Sequence, residues 1–207
     1  VPMNLWYALV DLLPFEWAEP GSMFFMKNAL LAVLVISPLF GLLSTMVVES
    51  RMSFFSDALG HSAFTGVAVG TLCGLAEPMW CAVAFSIVFA LLYSFVRKKS
   101  HMASDTVIGV FSSTAVALGI FIATFGGGSF TQYNSLLIGD ILSVEPAKIA
   151  LLAVILLVVV LLWLCSFNQL MLSSIHPALA DSRGVGVFWQ EAVFSAAIAV
   201  VVTVSMT

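Results

Sequence analysis

Between Lys148 and Asp181 the chain contains no Asp, Glu, Lys or Arg, and from Ile149 to Phe167 it reads "IALLAVILLVVVLLWLCSF". A helix rises about 1.5 Å per residue, so some twenty apolar residues in a row cross the ~30 Å hydrocarbon core of a bilayer. Other windows of similar length are nearly as apolar. Only 9% of residues are charged and 61% are hydrophobic, whereas soluble domains carry about 25% charged residues. A water-soluble fold is excluded on those grounds. A transmembrane barrel would alternate apolar and polar residues in segments of about ten, and that alternation is missing. The expected class is an all-α, polytopic helical membrane protein.

Six spans are read at about 23–47, 55–75, 79–97, 105–124, 144–166 and 187–206, within one transmembrane domain covering residues 1–207. "EPGS" precedes the first, and "AEPM" marks a tight turn between the second and third, as Pro and Gly punctuation suggests. Residues 3–17 mix Trp6, Tyr7 and Trp17 with Asp11 and Glu16, which suits an interfacial helix. Residues 125–143 are Gly-rich, then half apolar, and read as an external re-entrant-like loop. Residues 167–186 read as a cytoplasmic segment in which His176-Pro177 opens a short helix and Gly184 ends it. Arg51, the Arg97–Lys99 cluster and Arg183 all fall in loops on one side, which the positive-inside rule makes cytoplasmic. Lys27 is the exception, expected to snorkel to the outer face. The ends, Val1 and the apolar "AIAVVVTVSMT", lead us to expect a piece of a longer chain.

The second span holds the residues with chemistry. In "SDALGHSAFTGVAVG", Ala58, Ser62, Gly66 and Gly70 form a small-residue stripe that allows close helix approach. Beside it Asp57, His61 and Thr65 make a polar stripe at the same four-residue spacing. Counting from Arg51, His61 is expected about 15 Å deep. Ionisable groups at that depth mostly face a bundle interior or a pathway. Carboxylate and imidazole both ligate divalent transition metals. Two ligands are few, and a two-fold homodimer would bring four to its axis. The plain alternative is an Asp–His contact that holds helices together. In the fourth span Asp105, Gly109, Ser113 and Ala117 repeat the spacing. Packing accounts for them, and Asp105 suits a helix N-terminus.

Several function classes find no support. There is no basic run for nucleic acid, no P-loop, no "HExxH" and no "GxSxG". Cys73, Cys81 and Cys165 form neither a disulfide framework nor a zinc motif, and are expected to be small core-type thiols.

Four segments in order carry a resemblance: "RMSFFSDALGHSAFTGVAVG", "SDTVIGVFSSTAVALGI", "NSLLIGDILSVEP" and "HPALADSRGV". Together they resemble the permeases of ATP-binding-cassette importers for zinc, manganese and iron, and look closest to those for zinc uptake. The resemblance implies a multi-pass permease of the bacterial inner (plasma) membrane that is not itself an enzyme. It implies a permease homodimer, two cytoplasmic ATPase subunits and an extracytoplasmic metal-binding protein, with no permanently bound cofactor and Zn, Mn or Fe as cargo. Asp57 and His61 match the family's metal-contacting D-x-x-x-H, with Thr65, Ser62, Gly66 and Asp105 as pathway or packing positions. Pro177, Leu179, Ala180, Gly184 and Val185 fall in the segment expected to dock on the ATPase. His176 stands where many members carry Asp. The family continues for about two further spans, so about eight are expected in the whole protein. The rival reading is a passive or proton-coupled metal carrier without an ATPase, and a third is a packing subunit in which Asp57 and His61 serve stability alone.

Overall fold

The computed structural model describes residues 2–12, 14–15, 23–75, 77–100, 102–125, 144–175, 179–180, 183 and 186–206. Among these the ordered elements are all helices: α1 (Pro2–Val10), α2 (Phe24–Glu49), α3 (Phe55–Leu72), α4 (Pro78–Lys99), α5 (Ser104–Phe125), α6 (Pro146–Ile175) and α7 (Val187–Met206). The six long helices fall on the six expected spans.

Five of them, α2, α4, α5, α6 and α7, are long and apolar enough to cross a membrane. The exception is α3, and its position explains why. It packs against α4, α5 and α7, and from Ala58 to Ala68 its only residue that is not buried is His61. A helix wrapped in protein has no need of an apolar surface all round; it can carry Gly, Ser, Thr, Asp and His. The opposite case is α6, the most apolar span, whose surface stays largely uncovered by protein.

Close approach to α3 depends on missing side chains. A Cβ at Gly66 would sit 2.6 Å from Ala82 Cα on α4, and one at Gly119 on α5 would sit 2.6 Å from Phe64 Cδ1. Ser62 Oγ lies 3.1 Å from Ser86 Oγ on α4. The larger core cluster includes Leu39, Phe55, Tyr93, Ile108, Val159, Leu170 and Ile198, and joins α2, α3, α4, α5, α6 and α7. A smaller one around Phe64, Val67, Ala82 and Ala123 lies further along α3.

Four expectations change. The N-terminal helix ends at Val10 rather than near 17. Lys27 does not snorkel: it is 1% exposed and paired with Asp11 at 2.5 Å, while Trp6 Nε1 donates to its carbonyl oxygen. Asp11, directly after the end of α1, presents its carboxylate to this ammonium, which accounts for its burial. The fifth span continues to Ile175, so residues 167–175 belong to a membrane helix and the connector is shorter than expected. Asn168, Gln169, Ser173 and Ser174 end the apolar run there without ending the helix. Finally, Cys73 and Cys165 are exposed, free thiols rather than core residues. The expected loop at 126–143 lies outside the described residues.

Candidate metal site

On α3 the four-residue repeats point in three directions. Ser62 and Gly66 face α4, where Ser62 is wholly buried and its hydroxyl donates to the Leu59 carbonyl at 2.8 Å. Thr65 faces α5 and donates to the Ala115 carbonyl oxygen at 2.7 Å, with no exposed surface. Asp57 and His61 take the direction left open. The Asp57 side chain is 72% exposed and that of His61 is 40% exposed. The polar stripe read from the sequence is therefore split: its first two members share an open face, and Thr65 is a packing residue.

Asp57 Oδ2 and His61 Nε2 are 3.6 Å apart, too far for a hydrogen bond. Two ligands at ~2.1 Å from one tetrahedral ion lie about 3.4 Å from each other. The separation is close to that of two corners of one coordination sphere, and it also lies within ion-pair range. Among the described residues no third His, Cys, Asp or Glu joins them.

Their place along α3 differs from that of one straight helix through Arg51. Arg51 adopts a left-handed φ of 54°, and α3 begins only at Phe55. Asp57 lies in its first turn, where the helix dipole favours an acid. His61 is about 9 Å along the axis from Phe55, not 15 Å from a straight helix through Arg51. Asp105 is an exposed first-turn acid of α5, and Gly109 has open space beside it.

A second polar cluster, unrecognised in the sequence, occupies the basic end. Glu49, Ser50, Arg51, Arg97, Ser173, Ser174 and Glu191 line a cavity of about 360 Å³. Arg97 donates to the Ser50 carbonyl at 3.1 Å and pairs with Glu191 of α7 at 3.8 Å. Of the expected docking residues, Ala180 is fully buried and Leu179 is exposed. Pro177, Gly184, Val185 and also His176 lie outside the described residues.

A multi-pass helical bundle with five helices long and apolar enough to cross a membrane defines a polytopic membrane protein. The comparisons make this specific. A model described as the ABC 3 transport family matches residues 22–207, and the chain belongs to that family. An uncharacterized membrane protein of Synechocystis sp. is 31% identical over 199 residues, covering 96% of this chain and 68% of its own. The manganese transport system membrane protein MntC of Listeria monocytogenes is 29% identical over 163 residues, or 79% of this chain. The structure of PsaBC from Streptococcus pneumoniae in complex with Fab aligns with a TM-score of 0.72 at 25% identity, covering 99% of this chain and 70% of that one. The chain spans 58% of the length of the Listeria protein. It is a multi-pass protein of the bacterial plasma membrane, in the metal-ion permease class that the sequence resembled. The relatives named for a metal here are named for manganese, so the expected likeness to zinc permeases in particular gains no support.

Proposed function

We propose that this chain is membrane-spanning permease of an ATP-binding-cassette importer that brings a divalent transition metal into the cytoplasm. The observation that carries the reading is the open Asp57–His61 face on an otherwise enclosed helix, within a chain of this family. Asp57 and His61 contact the metal as it passes. A second copy of the chain, related by a two-fold axis, completes the ligand set with its own pair. Leu179 and Ala180, with Pro177, Gly184 and Val185, dock on a cytoplasmic ATPase subunit, which hydrolyses the ATP. An extracytoplasmic metal-binding protein delivers the cargo. A carboxylate with an imidazole suits manganese, iron or zinc, and the manganese-named relatives favour manganese.

The test is metal accumulation in cells lacking their own uptake system, expressing the full-length permease with its ATPase and binding protein. Asp57→Ala and His61→Ala are each expected to lower manganese uptake at least about tenfold, the effect of ~1.4 kcal/mol at the passage barrier. Membrane levels and ATP hydrolysis should persist, because both side chains are open and their contact lies within one helix. Normal uptake by both variants refutes the site. Uptake that proceeds without the ATPase and follows the pH gradient favours the proton-coupled carrier instead.

A further inference from the structure

The last four carbonyls of a helix have no partner within it, and at the end of α2 two of the carbonyls there are taken by side chains from distant helices. The Glu49 carbonyl accepts from Ser174 Oγ at 3.2 Å, one residue before α6 ends. The Ser50 carbonyl accepts from Arg97 Nη2 at 3.1 Å, in the last turn of α4. Through Nη1 the same guanidinium reaches Glu191 of α7 at 3.8 Å, and the neighbouring Lys98 ammonium lies 4.7 Å from the Phe188 ring. Ser174 and Phe188 stand at the two helix ends that flank residues 176–186. Both ends of that connector are therefore fastened, directly or through Arg97, to one turn, Glu49–Met52.

That turn leads into α3. Arg51 holds a backbone conformation that L side chains rarely adopt, and such a residue persists where its surroundings over-determine it. Met52 is buried and Phe55 packs on the Tyr93 ring at 4.7 Å. Asp57 follows two residues later, about 3 Å along the helix. The cavity of about 360 Å³ beside these groups leaves them room to change partners, which a close-packed core would deny.

Resting on the importer reading, we infer that Arg97 and Ser174 form a joint that carries displacement of the C-terminal end of α6 and the N-terminal end of α7, through the α2–α3 turn, to Asp57 and His61. Arg97 is a positioning residue in this scheme: it touches neither metal nor nucleotide. Its planar guanidinium bonds the turn with one nitrogen and faces Glu191 with another, which a lysine ammonium cannot reproduce.

The experiment uses the complete transporter, with ATPase and binding protein, in proteoliposomes, reading manganese taken up per ATP hydrolysed. Arg97→Ala is expected to lower this ratio about tenfold while hydrolysis continues, the effect of one lost charge-assisted hydrogen bond. Arg97→Lys should fall between the two, and Ser174→Ala should lower the ratio about threefold. A purely structural role predicts less assembled complex with an unchanged ratio, and that result overturns the joint. If Arg97→Ala does not assemble, Ser174→Ala decides alone, since it removes one hydroxyl from a partly exposed position. If the wild type shows no ATP-driven uptake, the importer reading fails first, and the joint fails with it.

Discussion

Gly66 and Gly109 undergo the same substitution to Ala with opposite expected results. At Gly66 the new Cβ would lie 2.6 Å from Ala82 Cα, 2.9 Å from Phe85 Cβ and 3.1 Å from the Cys81 carbonyl oxygen. Non-bonded carbons rest about 3.5–4.0 Å apart, so α3 and α4 must separate by roughly 1 Å. The obstructing atoms are backbone or Cβ, and no rotamer change moves them aside. Overpacking of this sort destabilises by about 1–3 kcal/mol, against which Ala recovers about 0.5–1 kcal/mol over Gly within a helix. The net expectation for Gly66→Ala is a loss of about 1–2 kcal/mol. At Gly109 nothing lies within 4 Å of the added atom, and only the helix term remains, a gain of about 0.5–1 kcal/mol. The assay is reversible unfolding of the full-length permease in mixed micelles, titrated with a denaturing detergent and followed by tryptophan fluorescence. Gly66→Ala unfolding at the wild-type midpoint refutes the close approach of α3 and α4. So would Gly109→Ala losing as much stability as Gly66→Ala.

Thr65→Val keeps the shape but leaves the Ala115 carbonyl without its hydroxyl donor; it should destabilise by about 1 kcal/mol with metal affinity unchanged in a titration of the purified protein. Asp11→Ala should destabilise more than Lys27→Met in the same unfolding assay, because Lys27 is 1% and Asp11 27% exposed, so the first change takes the counter-charge from the more deeply buried group.

The spans were legible because lipid-facing surface has to be apolar over a fixed length, and α6 shows that rule in its purest form. What could not be read was which way each residue of α3 points. Its small and polar residues recur every four positions on more than one face, and spacing alone treats Thr65 and His61 as equivalent. The partner decides between them: α5 presents the Ala115 carbonyl and Gly119 to Thr65 and its neighbour Phe64, while His61 remains part-exposed. Contacts between residues distant in the chain were equally illegible. Arg97 counted only as a positive charge for orientation, and Ser174 only as part of the 167–186 cytoplasmic segment, until the fold set both against the end of α2. The 125-residue separation of Ser174 from Glu49 leaves no local signal to find.

The two polar clusters differ in how they treat their charges, and the difference bears on function. At the basic end every long polar side chain that bridges helices is engaged with a carbonyl, a carboxylate or a ring, as expected of groups that transmit force. On α3, Asp57 Oδ2 and His61 Nε2 lie 3.6 Å apart on one helix and stay partly open. Structural polar groups in a membrane bundle gain from satisfying one another, whereas a cargo site works only if its ligands remain available to the ion. An exposed pair on a single helix, beside a more enclosed pair that bridges two helices, is therefore the pattern of a site that the joint moves.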